Sequence, residues 1–168
     1  MDQNLNKVEI KDKLISIFNA NKAIIYSITV ILVIILLSIS YFKINYEKEN
    51  NLIAEKYIKA GLYLAEVDKE KSKILYEEIL LSKNKFYSVL ALNTILENNL
   101  VNDKNKILEY FRTIEQLKIS KEQQDLIKIK KALYLIKNSN TKNGNELLNN
   151  LIEENSKFKF LAEEILVK

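Results

Sequence analysis

Residues 23–42 read AIIYSITVILVIILLSISYF, twenty consecutive residues without a charge, and this stretch decides the architecture of the chain. At about 1.5 Å of rise per residue, a helix of this length matches the hydrocarbon core of a bilayer, which is about 30 Å thick. Lys22 and Lys43 flank the stretch, and Tyr26 and Tyr41 lie near its ends, where amphipathic aromatic side chains favour the headgroup region. The stretch therefore predicts one transmembrane helix over residues 23–42.

Two other interpretations of this stretch are open. A buried core helix of a soluble protein rarely lacks every charge over such a length. A cleaved signal peptide is suggested by the small-x-small triplet at residues 38–40. However, Asp2, Glu9 and Asp12 precede the stretch, and a signal core usually has only about 7–15 apolar residues. These features favour an uncleaved anchor.

Lysines flank both ends of the predicted span in equal number, so the positive-inside count gives no orientation. They are Lys7, Lys11, Lys13 and Lys22 on one side and Lys43, Lys48, Lys56 and Lys59 on the other. We expect the commoner arrangement for one anchor near the N-terminus. Residues 1–22 then form a short cytoplasmic tail, and residues 43–168 form an exported soluble domain.

The composition disfavours several classes of function. The chain has no cysteine and no histidine, which excludes thiolate nucleophiles, imidazole acid-base catalysis and Cys/His zinc sites. The adjacent carboxylates Glu77–Glu78, Glu153–Glu154 and Glu163–Glu164 point about 100° apart on a helix and do not converge on a substrate. We therefore expect no catalytic, cofactor-binding or metal-binding residues and a protein that is not an enzyme.

Nucleic-acid binding is also not expected. From residue 43 onward, 22 basic residues are mixed with 19 acidic ones, and Arg112 is the only arginine. A nucleic-acid-binding domain usually concentrates basic charge on one face and uses arginine forks to contact phosphates and guanines.

Beyond the span, apolar residues recur at helical spacing, and the chain has no proline and only two glycines. This pattern predicts an all-α domain of seven short helices, with breaks near Asp68, Asn84, Asn102, Ser120 and Asn140. The stripe residues expected to face the core include Leu126, Ile129, Ala132, Leu133 and Ile136 of the fifth helix, and Phe158, Leu161, Ala162 and Ile165 of the last.

Three segments carry helix-start signals. Ser120 with Gln123 fits a capping box, in which the hydroxyl and the amide each bond a backbone N–H at the opposite position. Asn143 with Glu146 is a weaker version of the same pattern, and Ser156 is a candidate cap of the last helix.

The sequence superposes on itself at an offset of 72 residues. Ala60 then meets Ala132, Ser72 meets Gly144, and Tyr76 meets Leu148. Half of 72 is 36, close to the period of about 34 residues of a tetratricopeptide helix pair. Small residues at a helix crossing allow close approach, and large ones fill the layer between pairs. The expected packing positions are Ala60, Tyr63, Ser72, Tyr76, Ala132, Gly144 and Leu148.

The order of Ala60, Tyr63, Asp68, Ser72 and Tyr76 resembles a degenerate tetratricopeptide repeat, although no copy has the terminal proline. The resemblance implies an α-solenoid of about three TPR-like helix pairs over residues 43–168, followed by a C-terminal helix. A plain helical bundle with accidental periodicity is the alternative.

The whole layout is similar to the YfgM-type family of ancillary SecYEG translocon subunits. The similarity includes a short charged tail, one span, weak repeats and the segment NKFYSVLALNTILENN at residues 84–99. It implies a bacterial inner-membrane protein with a periplasmic repeat domain, whose partners are the Sec translocon and periplasmic chaperones. The absent prolines, the scarce alanine and glycine, and the abundant lysine and asparagine depart from that family.

The sequence thus leads to a membrane-anchored scaffold for protein–protein interactions, with the lipid bilayer as its other contact. The alternative is a structural helical stalk or assembly subunit of another membrane complex. Such a stalk should show sustained heptads over long helices.

Overall fold

A computed structural model describes residues 13, 16 and 20–167; the side chain of residue 25 is not described. The predicted tail, residues 1–22, therefore lies mostly outside the described residues. The described part is all-helical, as predicted, and contains seven helices. They are α1 (Lys22–Ala65), α2 (Lys69–Leu81), α3 (Tyr87–Glu97), α4 (Lys104–Glu115), α5 (Lys121–Lys137), α6 (Thr141–Glu153) and α7 (Lys159–Val167).

The chain divides after Glu49 into two compact units. In the first unit, the apolar stretch of residues 23–42 lies within α1, and its described side chains are exposed. This helix near the N-terminus is long and apolar enough to span a membrane. The first of the seven short helices predicted beyond the span is not a separate helix, because α1 continues from the apolar stretch to Ala65.

The second unit, from Asn50 onward, is held together by two groups of buried side chains. The larger group extends from Ala60 through Phe111 and Ile114 to Ile127, and the smaller one joins α5, α6 and α7. Helix α5 contributes to both, because Ile127 belongs to the first and Ile129 to the second. Leu126, Leu133 and Leu161, which we expected in the core, are instead 39%, 44% and 41% exposed.

Side-chain caps fix several helix starts. The capping box of Ser120 and Gln123 is confirmed at the start of α5. Ser156 also accepts a bond from the backbone N–H of Phe158, at 3.2 Å, just before α7. The predicted box at Asn143 is wrong, because α6 already begins at Thr141 with Asn140 as the preceding cap residue.

The helix boundaries recur at the same offset of 72 residues found in the sequence. Helix α1 ends at Ala65 and α5 at Lys137, while α2 and α6 have equal lengths and α3 and α7 begin at matching positions. The turns match as well, because Val67 and Ser139 both have φ of 66°. Positions 72 residues apart are therefore similar in local backbone geometry as well as in residue type.

Candidate functional site

The small residues singled out in the sequence lie at two equivalent helix crossings. Where α1 meets α2, the buried hydroxyl of Ser72 donates a hydrogen bond of 3.0 Å to the carbonyl oxygen of Ala60. Where α5 meets α6, a β-carbon at Gly144 would lie only 2.8 Å from the carbonyl oxygen of Ala132. At both crossings a small residue thus lies close to a backbone carbonyl group of the neighbouring helix.

The larger packing residues differ in how deeply they are buried. Tyr76 and Leu148 are buried, and the ring of Tyr76 packs edge-on against Tyr57 with centroids 5.4 Å apart. Burial raises the pKa of Tyr76 above its ordinary value. Tyr63 is half-buried, and the ammonium groups of Lys59 and Lys71 lie 5.9 and 5.3 Å from its ring centroid. Six of the seven predicted packing positions are therefore buried, and Tyr63 is the exception.

A pocket of about 390 Å³ lies between α3, the start of α4 and α5, and the sequence analysis did not identify it. We call it the α3–α5 pocket. Its apolar lining consists of Ile95, Leu96, Val101, Ile107, Leu133 and Tyr134. Its polar lining consists of Asn93, Glu97, Asn99, Asn102, Lys130, Lys137 and Asn138. The abundance of asparagine in the sequence was the one signal available, since four asparagines line the pocket.

The polar groups of the α3–α5 pocket are only partly used within the protein. Lys130 donates a hydrogen bond of 2.6 Å to the side-chain oxygen of Asn93, not to a carboxylate. Among the residues that the structure describes, Lys137 forms no ion pair, and the side chains of Asn99 and Asn102 form no hydrogen bond. Amide groups of this kind can both donate to and accept from a peptide backbone.

One wall of the α3–α5 pocket is an aromatic side chain that packs against the core. Tyr134 packs against the fully buried Phe111 with ring centroids 5.9 Å apart. Burial, and secondarily the negative charge of Asp103, raises the pKa of Tyr134, so its hydroxyl stays protonated at neutral pH. The pocket thus combines apolar surface with a few oriented polar groups, as binding sites usually do.

The adjacent carboxylates of Glu77 and Glu78 have different partners in this structure. Glu77 lies 2.7 Å from Lys106, while its neighbour Glu78 lies 2.9 Å from Lys56. Within residues 20–167, no three His, Cys, Asp or Glu side chains gather in a way that could hold a metal ion.

A charged network joins the start of α5 to the end of α6. Lys121 lies between the carboxylates of Asp125 and Glu154, and Lys128 lies 3.2 Å from Glu154. Bonding to Lys121, and then to Lys128, holds the pKa of Glu154 below its ordinary value. Because Glu154 is a surface group, its contribution is screened by solvent.

This network predicts a pH-dependent contribution to stability. A lowered pKa in the folded state means that Glu154 stabilises the fold above the ordinary carboxyl pKa of about 4.3, and that this contribution is lost as pH falls through the lowered value. We expect Glu154→Gln to lower Tm at neutral pH, and the difference from wild type to vanish at acid pH. Thermal unfolding of the full chain in mild detergent, followed by circular dichroism, measures it.

Glu153→Gln is the matched control, because Glu153 forms no ion pair among the described residues. Its Tm should follow the wild type at every pH. A Glu154→Gln difference that persists unchanged in acid would contradict the assignment.

No protein-family model, no curated protein and no solved structure matches this chain.

Proposed function

We propose that this protein is a membrane-anchored helical scaffold that binds a partner protein in the α3–α5 pocket. The observation that carries the proposal is the pocket itself, whose apolar wall and unused amide groups suit an extended polypeptide. Anchoring raises the effective concentration of such a pocket near membrane-bound partners, so a modest affinity suffices.

The anchor is supported by the exposure of its apolar side chains. Along residues 23–42, large apolar residues such as Ile31, Leu37 and Phe42 are more than half exposed. A lipid environment removes the cost of exposing these side chains to water, since burying apolar surface contributes roughly 25 cal/mol per Å².

A TPR-like solenoid is the finer arrangement that we propose for the second unit. Its helix pairs would be the end of α1 with α2, α3 with α4, and α5 with α6, with α7 last. The 72-residue recurrence of helix boundaries and the two small-residue crossings support it. The α3–α5 pocket would then lie between the first helices of two successive pairs.

The proposed cellular setting follows from the resemblance of the layout to YfgM-type translocon subunits. We propose a bacterial inner membrane, a cytoplasmic N-terminus, and a periplasmic domain that links the Sec translocon to periplasmic chaperones. Protease digestion of intact and opened cells tests the orientation. If the domain is periplasmic, protease should cleave it once the outer envelope is opened and while the inner membrane is intact. A cytoplasmic domain should be cleaved only after the inner membrane is broken.

A structural stalk remains the competing function. Helices α2–α7 range from 9 residues in α7 to 17 in α5, too short for the sustained heptads of a coiled-coil arm. The short helices support the scaffold over the stalk.

Site-specific crosslinking tests the proposed pocket directly. A photo-crosslinking amino acid replaces Leu133, which lines the pocket, or Leu161 on α7, which is outside it; the two are 44% and 41% exposed and so form a matched pair. In native membranes we expect discrete protein adducts at position 133 only. Adding Lys137→Glu to the Leu133 variant should reduce these adducts about tenfold, as for loss of a well-placed contact.

The identity of the crosslinked protein distinguishes the proposed cellular setting from the stalk alternative. A translocon component or a periplasmic chaperone would support the specific setting, whereas another membrane-complex subunit would favour the stalk alternative. Equal labelling at the two positions, or no adduct at position 133, would refute partner binding in the pocket.

A further inference from the structure

The turn between α2 and α3 exposes a combination of side chains suited to a lipid surface. We call residues 81–86 the basic turn. Leu81 and Phe86 are 57% and 60% exposed, and the exposed Lys83 and Lys85 lie between them in the chain. Aromatic residues and lysines together favour the headgroup region of a bilayer, the rings at its apolar boundary and the ammonium groups at phosphates.

The two lysines are available for an external anion. Neither Lys83 nor Lys85 has an ion-pair partner among the described residues. The nearest acidic residue in sequence, Glu78, is engaged by Lys56 at 2.9 Å. The basic turn therefore presents two positive charges that no carboxylate of this turn neutralises.

The backbone of the basic turn is held in a defined conformation. The side-chain oxygen of Asn84 accepts hydrogen bonds from the backbone N–H groups of Phe86 and Tyr87, at 3.0 and 2.9 Å. The ring of Phe86 also rests edge-on against Tyr87, with centroids 5.0 Å apart. Little backbone conformational entropy would therefore be lost if the basic turn met a surface.

A hydrogen bond connects the basic turn to a residue near the proposed span in the chain. The amide of Asn84 donates to the side-chain oxygen of Asn50 at 2.9 Å. Asn50 follows Phe42 by only eight residues, which cover at most about 28 Å even when fully extended. If residues 23–42 cross a membrane, this short tether keeps the basic turn at high effective concentration near the bilayer surface.

We propose that the basic turn docks on the surface of an anionic bilayer, with Phe86 and Leu81 at the headgroup boundary and Lys83 and Lys85 against lipid phosphates. The inference rests on the proposed anchoring of residues 23–42. Each lysine near an anionic surface contributes about 1 kcal/mol, which corresponds to roughly fivefold in binding per lysine.

The segment that opens α7 provides a matched comparison. Phe160 is 81% exposed and is flanked by Lys157 and Lys159, so its composition resembles that of the basic turn. However, Lys157 is paired with Glu122, and the cap residue Ser156 bonds Asp125 of α5 instead of a residue close to the span. We therefore expect no lipid contact at Phe160.

Depth-dependent fluorescence quenching tests the inference on the full chain in lipid nanodiscs. The protein has no tryptophan, so each of the variants F42W, F86W and F160W carries a single reporter. Nanodiscs contain brominated phosphatidylcholine and phosphatidylglycerol, or brominated phosphatidylcholine alone. We expect strong quenching of F42W in both lipids, about twofold quenching of F86W in the anionic mixture, and none of F160W, since the electrostatic attraction requires anionic lipid.

Charge reversal supplies the second arm. In the F86W background, Lys83→Glu with Lys85→Glu should abolish the quenching and leave the helical circular dichroism unchanged, because both lysines are exposed and unpaired. Quenching of F86W that survives charge reversal would overturn the electrostatic docking.

The remaining outcomes separate this inference from the proposed function. If F42W is quenched but F86W is no more quenched than F160W, lipid docking is refuted and the anchor stands. If F42W is not quenched, both the anchor and the docking fail. If the F86W side chain is shielded from water in native membranes but is not quenched by brominated lipid in nanodiscs, the turn contacts a protein. This outcome also overturns lipid docking.

Discussion

Replacing Asp125 by alanine is expected to lower the free energy of unfolding by about 2–3 kcal/mol, the cost of leaving buried polar groups without their partner. Asp125 is 2% exposed, and the hydroxyl of Ser156 donates to it at 2.6 Å. Lys121 also lies 3.2 Å from its other oxygen. The substitution removes the buried acceptor that joins α5 to Ser156 in the turn before α7, and it opens a small cavity there.

Chemical unfolding of the full chain in mild detergent, monitored by circular dichroism, measures this loss. Asp125→Asn keeps an oxygen that can accept the Ser156 hydroxyl and should cost clearly less than alanine. Ser156→Ala completes a double-mutant cycle, in which the coupling to Asp125 should exceed about 1 kcal/mol, as for residues in direct contact. Additive effects of the two substitutions would show that the hydrogen bond contributes nothing.

Replacing Gly144 by alanine is expected to destabilise the protein by about 2 kcal/mol, although alanine favours an isolated helix over glycine by about 1 kcal/mol. The added β-carbon would lie 2.8 Å from the carbonyl oxygen of Ala132 and 2.6 Å from Cγ1 of Ile136. The backbone carbonyl cannot move away without separating α5 from α6. Overpacking therefore outweighs the gain in helix propensity.

Gly61→Ala is the matched control, because Gly61 lies in helix α1 and a β-carbon there would meet only the hydroxyl of Tyr76, at 3.6 Å. This is ordinary van der Waals contact, so we expect a gain of roughly 0.5–1 kcal/mol from helix propensity. The same unfolding measurement applies to both variants. A stabilised Gly144→Ala protein would mean that the α5–α6 crossing is looser than described.

Local signals in the sequence predicted local structure well where one side chain decides the geometry. The capping box of Ser120 and Gln123 is such a case, because both bonds form within four consecutive residues. The Asn143 box failed because Ser139, with φ of 66°, reverses the chain within a three-residue connection. Helix α6 could therefore begin at Thr141, and a pattern of residue types alone does not report that φ angle.

Apolar periodicity identified most of the core but misplaced its edge. Leu133 falls on the stripe of α5 that includes Ile129 and Ala132, yet it is 44% exposed and lines the α3–α5 pocket. A helical stripe indicates that one face is covered, and it carries no information about where the covering helix ends. The pocket escaped prediction for this reason.

The sequence by itself determined the twenty-residue apolar run, the all-helical character, the main caps and the 72-residue recurrence, because these depend on residues within a few positions or on repeated residue types. Only the tertiary structure decided that α3 and α5 enclose a pocket, that Asp125 reaches Ser156 and that Asn84 reaches Asn50. Such distances between residues far apart in the chain depend on how every intervening helix packs, so no local pattern determines them.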